Sequence, residues 1–285
     1  MVITAAQVNE LRQKTGAGMM DCKKALTEAE GDFEKAIEIL RKKGAAVASK
    51  RAEKSANEGL ILTKVSDDKK SAVIVEVNCE TDFVAKSDDF VKLAEAVLEA
   101  VEKAKPSSVD ELFEKNSDIK GLLTDVMGKV GEKIQISRFA YEEAPDGLLV
   151  DYVHLGSKLG VLVKFENANG IGDEFDGFAK DIAMQVAAMK PICVYREEVS
   201  KDIIDKEIEI YKELARKEGK PEQILDKIAQ GRLNKFYQEN CLNEQAFIKD
   251  NSKSIADLMK EFNSKHGTGI KIAQFRRFHL SDENK

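Results

Sequence analysis

The chain has 285 residues, more than one hydrophobic core comfortably fills, so several structural units are expected. Charged residues make up 34 % and hydrophobic ones 42 %, with a net charge of −6: a globular chain with a heavily charged surface and long exposed helices. This acidic balance argues against broad nucleic-acid binding, which needs a strong positive field, and no apolar run reaches the roughly 18 residues of a membrane span. The N-terminal MVITAAQVNELRQKTG carries neither a secretory apolar stretch nor an Arg/Ser-rich transit pattern, so a cytoplasmic chain is expected. Cys22, Cys79, Cys193 and Cys241 are far apart and form no CxxC; they read as four free thiols, mostly buried, and no metal or cofactor is expected.

Residues 1–54 read as a small helical head. Thr4 and Gln7 fit a capping box ahead of Val8 and Leu11. Thr15-Gly16-Ala17-Gly18 breaks that helix. Met19, Met20, Cys22, Ala25, Leu26 and Ala29 carry a second helix, ended by Gly31. Asp32 caps a third, which buries Phe33, Ala36, Ile37 and Leu40 and is expected to stop at Gly44. Three short helices around one core make a ubiquitin-associated-like bundle, too small to be more than a docking module. The following AAVASKRAEKSAN reads as a partly helical, solvated linker; a phosphate-binding use of Lys50, Arg51 and Lys54 is the competing reading.

The remainder is a duplication. An offset of 88 pairs Glu58-Gly59-Leu60-Ile61 with Asp146-Gly147-Leu148-Leu149, and Val73, Val75 and Val77 with Val161, Val163 and Phe165. An offset of 136 pairs Ile119, Leu122, Leu123, Gly131, Ile134 and Ile136 with Ile255, Leu258, Met259, Gly267, Ile270 and Ile272. Each copy reads as two alternating strands (58–65 and 71–78; 147–154 and 159–166). Two helices follow (88–104 and 118–128; 174–189 and 254–264), then a third strand (133–140; 269–276). The expected unit is a three-stranded antiparallel sheet with helices on one face, an α+β fold. It divides the chain into a core N-subdomain at 55–140 and a C-subdomain at 141–195 plus 240–280.

The 48 extra residues of the second copy lie between Met189 and Ser254. Ile204, Ile208, Tyr211 and Ala215 form one helical seam, Gly219-Lys220-Pro221 a turn, and Leu225, Ile228, Ala229, Leu233 and Phe236 the facing seam. Residues 196–239 therefore read as an antiparallel coiled-coil hairpin.

Catalytic motifs are missing from the sequence: no Walker loop, GxSxG, HExxH or GxGxxG occurs. Cys79 with His154 is the best thiol–base pair, and nothing in the sequence brings the two together. Binding therefore ranks above catalysis. Thr81-Asp82-Phe83-Val84-Ala85-Lys86 sits between a strand and a helix capped by Ser87 or Asp88, with an aromatic in the connection. The second copy has Gly170 and Ile171 at the places of Asp82 and Phe83, so the fold unit does not require the pair. Phe83 is then either a lid on the core or a protruding interface anchor.

The run Thr15-Gly16-Ala17-Gly18-Met19-Met20-Asp21-Cys22-Lys23-Lys24-Ala25-Leu26 and the run VNCETDFVAK closely resemble the translation elongation factor Ts family. So do His154-Leu155-Gly156, Asp181-Ile182-Ala183-Met184-Gln185-Val186-Ala187-Ala188 and Gly231-Arg232, in the same order over nearly the whole chain. The resemblance implies a guanine-nucleotide exchange factor for the GTPase elongation factor Tu, without covalent chemistry of its own. It implies that Thr81, Asp82, Phe83 and Val84 contact the GTPase and dislodge its magnesium ion. It also implies that the head docks, with Met19, Met20 and Lys23 as its contact residues. No membrane and no direct nucleic acid enter this picture. The second copy and the hairpin both offer surface for a homodimer or a 2:2 complex. Gln185 stands where many members have His and receives no role. The chain ends shortly after Phe275, in FRRFHLSDENK, so a contact made by a further C-terminal module is not carried over. A helical adaptor or holdase without exchange activity is the alternative.

Overall fold

The computed structural model describes residues 3–168, 172 and 174–282. Helices α1 (Ala5–Thr15), α2 (Met19–Glu28) and α3 (Phe33–Lys50) come first. The Gln7 N–H donates to the Thr4 hydroxyl at 3.3 Å and Gln7 Oε1 accepts from the Thr4 N–H at 3.0 Å, the reciprocal cap read from the sequence. Asp32 accepts from the N–H groups of Glu34 and Lys35 at the start of α3. Leu11, Cys22, Ala25, Leu26 and Ala36 share one buried core, with Phe33, Ile37 and Leu40 half-buried at its margin.

The first copy contains β1 (Glu58–Val65), β2 (Ser71–Cys79), the single-turn α4 (Asp82–Ala85), α5 (Asp88–Ala104), α6 (Val109–Lys115), α7 (Ser117–Val130) and β3 (Ile134–Glu143). The second contains β4 (Gly147–Val153), β5 (Leu159–Glu166) and α8 (Glu174–Met189). An insertion follows, made of α9 (Lys201–Lys217), α10 (Leu225–Asn240), β6 (Ala246–Phe247) and β7 (Asp250–Ser254). The copy closes with α11 (Ile255–His266) and β8 (Lys271–His279). The chain is thus an α+β protein with two three-stranded antiparallel sheets, ordered β1-β2-β3 and β4-β5-β8. Sequence periodicity missed α4, α6 and the β6–β7 pair, each too short to complete a pattern.

The duplication holds residue by residue. Gly59 pairs with Asn78 and Leu60 with Val77; Gly147 pairs with Glu166 and Leu148 with Phe165, the same register shifted by 88. A β-bulge lies between Glu76 and Val77 opposite β3, and its counterpart between Lys164 and Phe165 opposite β8. Strand alternation then sorts the faces. Val73, Val75, Val77 and Cys79 pack under α5, and Val161, Val163 and Phe165 under α8.

The opposite faces are not open. Ile61, Ala72, Ile74, Leu149, Leu162 and Phe278 form a separate buried cluster in which the two sheets pack against each other. At the rim of this contact Arg138 donates to Glu76 at 2.8 Å and to Asp282 at 2.8 Å, and its guanidinium lies 4.2 Å over the Phe278 ring. The fully buried Glu76 is thereby paired, as a charge in that position must be.

The expectation that the third helix ends at Gly44 is overturned: α3 continues to Lys50. Gly44 is instead a crossing point. A Cβ there would lie 2.4 Å from the Thr124 carbonyl oxygen, so only hydrogen lets α3 approach α7 this closely. Beyond α3, Arg51 donates to Glu80 at 2.6 Å, and the Lys133 ammonium donates to the carbonyls of Ala52 and Lys54. The linker is therefore pinned to the first copy, while Lys50 and Lys54 stay exposed.

In the insertion, α9 and α10 pack as a hairpin through Ile204, Ile208, Tyr211, Leu233, Phe236 and the additional Tyr237. Gly219, at φ 75, makes the turn. Two of the cysteines that look scattered in sequence meet at its base, Cys193 Sγ and Cys241 Sγ lying 3.6 Å apart. Buried Gln185, left without a role above, donates to Gln245 Oε1 and to the Ala246 carbonyl at 3.1 Å each and accepts from the Ile248 N–H at 2.9 Å. It ties the β6–β7 pair to α8.

Candidate functional site

The connection from β2 to α5 is built by two caps in succession. Thr81 opens α4, its hydroxyl accepting from the Val84 N–H at 3.4 Å, and Ser87 opens α5, accepting from the Phe90 N–H at 3.4 Å. The segment expected as a loop is therefore one helical turn. Ala85 is buried beneath it and Val84 packs against the first-copy core. Asp82 is paired with Lys86 at 2.7 Å, and that bond holds its carboxyl below the usual range. Phe83 is 83 % exposed, which overturns its reading as a core lid. The places of Asp82 and Phe83 in the second copy, Gly170 and Ile171, lie outside the described residues.

The segment is held firmly from below. Glu132, at the α7–β3 turn, accepts from the Thr81 N–H at 3.0 Å and from the Thr81 hydroxyl at 2.7 Å. Glu80 accepts from the Lys133 N–H at 2.7 Å and from Arg51. The Cys79 thiol donates to the Thr81 carbonyl at 3.1 Å. Burial, then the nearby Glu132 charge, pushes that thiol up to about 12. His154 is bonded instead to the Tyr152 hydroxyl at 2.8 Å, so the thiol–base pair is not assembled.

A second exposed apolar residue joins Phe83. Leu155, at the tip of the β4–β5 turn, is 95 % exposed. The Ile61 N–H donates to the Ser157 carbonyl at 2.7 Å, and Lys158 pairs with Glu58 at 2.6 Å while its charge reaches Asp82. The two turns thus share one edge of the molecule. In the sequence Leu155 stands only within the His154-Leu155-Gly156 run, with no role assigned; its signal is an apolar residue where the first copy has Asp67.

On α2, Met19 (55 %) and Met20 (63 %) are both exposed, as is Lys23, while Cys22, Ala25 and Leu26 face inward. Neither Met packs into the core. Among the described residues, no group of three or more His, Cys, Asp or Glu is placed to hold a metal ion, and no helix is long and apolar enough to cross a membrane.

An aromatic raised on a clamped turn and a bare leucine on a turn of the same edge make an exposed apolar surface suited to contact with another macromolecule. The elongation factor Ts family model matches residues 80–282. The chain is 46 % identical to an elongation factor Ts of Chlorobium phaeobacteroides over 98 % of both chains. It is 47 % identical to that of Christiangramia forsetii over 98 % of both, and 43 % to that of Clostridium botulinum over 97 % of this chain and 92 % of that one. The chain belongs to the elongation factor Ts family.

Proposed function

We infer that this chain is a guanine-nucleotide exchange factor of translation elongation, acting on the GTPase elongation factor Tu and catalysing no covalent step. The observation that carries the reading is Phe83, bare on a turn anchored through Thr81 and Ala85.

Exchange is a linkage phenomenon. A factor accelerates GDP release by binding the nucleotide-free partner more tightly than the GDP-bound one, and equal affinity would shift nothing. Thr81, Asp82, Phe83 and Val84 supply that difference: Phe83 enters the partner's nucleotide-binding domain only where its switch elements have separated. The partner's magnesium ion is dislodged, and the phosphates lose the charge that bridges them. By reciprocity GDP weakens the factor's grip by the same ratio.

The head (1–54) is the docking module, a ubiquitin-associated-like bundle offering Met19, Met20 and Lys23; the thioethers give adaptable apolar contact. Residues 55–140 and 141–195 with 240–280 are the two core subdomains, and 196–239 the coiled-coil arm. The protein works in the cytoplasm on a protein partner, with no direct nucleic-acid contact. The second subdomain and the arm are the surfaces for a homodimer or a 2:2 assembly.

The test is stopped-flow release of fluorescent GDP from elongation factor Tu. Phe83→Ala is expected to slow stimulated release about 30-fold, the loss of one interface anchor, with the fold unchanged by circular dichroism. Unchanged release with retained binding would leave the chain an adaptor rather than an exchange factor.

A further inference from the structure

We propose that Glu132 is a positioning residue: its carboxylate, by holding both the N–H and the hydroxyl of Thr81, sets the direction in which Phe83 projects. This rests on the exchange reading for its functional consequence, though not for its geometry.

The argument begins with α4. A helix of four residues has no stability of its own, and the exposed Phe83 ring has too little packing to fix it. Its direction comes from where the turn is tied down. One tie is buried Ala85; the other is Thr81. The Thr81 hydroxyl must do two things, accepting from the Val84 N–H and donating its own proton. Glu132 takes that proton at 2.7 Å, which turns the hydroxyl lone pairs toward Val84. The same carboxylate takes the Thr81 N–H, so one side chain fixes the backbone entry and the cap of the turn together.

The second copy shows that the fold does not need this carboxylate. Gly131 ends α7 at φ 72 and Gly267 ends α11 at φ 64, the same left-handed cap in both units. The next residue is Glu132 in one and Thr268 in the other. Thr268 turns back within its own unit, donating to Asn263 Oδ1 at 2.8 Å. A carboxylate follows the cap only in the copy that carries Phe83.

The chain has no tryptophan, so Phe83→Trp places a single reporter on the turn. In that background Glu132→Ala is expected to lower the fluorescence anisotropy of the reporter, and Glu132→Gln, which keeps one acceptor, to restore much of it. With Phe83 in place, Glu132→Ala is expected to cut the maximal stimulated GDP-release rate about tenfold. The factor concentration giving half the effect should change less than twofold, because the docking surfaces are untouched. Glu132→Gln should recover part of the rate. Unchanged anisotropy and rate in Glu132→Ala, with Phe83→Ala still impaired, would overturn the proposal. Loss of native circular dichroism in both Glu132 variants would overturn it as well, by making the residue a general fold requirement. Lowered anisotropy with Phe83→Ala fully active would leave the positioning intact and defeat the exchange reading instead.

Discussion

Gly44→Ala measures how closely the head is docked on the core. The new methyl carbon would sit 2.4 Å from the Thr124 carbonyl oxygen and 3.2 Å from Thr124 Cγ2. An ordinary contact needs about a further ångström, and a backbone oxygen cannot rotate away, so α3 and α7 must separate. Overpacking of this kind costs about 1–3 kcal/mol. Against it stands the gain of about 1 kcal/mol from replacing glycine inside a helix. Gly121→Ala removes that ambiguity. It lies inside α7 with nothing within 4 Å of its Cβ position, so it collects the helix term alone. Gly44→Ala should therefore lie about 1–3 kcal/mol below Gly121→Ala. Native-state hydrogen exchange is the direct assay, read at the α3 amides for Gly44→Ala and at the α7 amides for Gly121→Ala, because it reports opening of each helix rather than of the whole chain. The expected difference in exchange rate is roughly 5- to 150-fold. If each substitution stabilises its own helix alike, the close crossing is refuted, and with it the reading of Gly44 as a spacer.

Other consequences can be checked separately. Replacing 196–239 by a short Gly-Ser turn should leave a cooperatively melting core, since the Ile192–Asn240 and Cys193–Leu242 backbone bonds lie outside the cut; a broad, non-cooperative melt would contradict this. Burial works to raise the Asp282 carboxyl, but hydrogen bonds from Arg138 and the His279 N–H outweigh it and hold the group below its usual range. Its contribution, about 1–2 kcal/mol, is then fully present above the unfolded pKa of about 3.9 and is lost as pH falls through the folded value. Asp282→Asn should flatten the acid limb of a pH–stability titration, and an unchanged limb would remove this linkage. With Cys79 pushed up to about 12, its thiolate fraction at pH 8 is on the order of 10⁻⁴. Iodoacetamide should leave it unmodified in the native chain, and Cys79→Ser should keep full GDP-release activity. Met20→Ala should raise the half-saturating factor concentration several-fold with little change in maximal rate; the reverse pattern would deny the head a docking role.

What could be read from the sequence follows from how local the signal is. The strands and their duplication are legible because side chains alternate with a period of two, and because Val73, Val75 and Val77 recur as Val161, Val163 and Phe165. The caps at Thr4 and Asp32 were visible because each bond spans only two or three residues. Gly44 misled because glycine both ends helices and lets them cross, and only the presence of Thr124 opposite distinguishes the two. That the sheets pack on each other through Ile61, Ile74 and Leu162 has no local signature. Phe83 was found by its oddity, but the carboxylate holding its segment lies 51 residues beyond Thr81 in sequence. Cys193 and Cys241 likewise meet across 48 residues.

The duplication turns those non-local features into a comparison. Two units with one register and one bulge position show what the fold requires, so a residue kept in both needs no functional reason. Three departures stand out. Glu132 stands against Thr268, Leu155 against Asp67, and the α9–α10 hairpin has no counterpart in the first copy. Glu132 serves the Phe83 segment, and Leu155 shares its edge through Ser157 and Lys158. The helix-covered cores keep matched apolar pairs on their strands, Val73 with Val161 and Val75 with Val163, while Val97 stands against Gln185 on the helices above them. Glu132 and Leu155 fall on one edge, one from each copy. The sheet–sheet contact fixes the turns of Phe83 and Leu155 relative to each other. Opening that contact, for instance with Leu162→Ala, should therefore lower stimulated GDP release even though Leu162 is buried and touches no partner. Full activity in a measurably destabilised Leu162→Ala chain would mean that the two turns act independently.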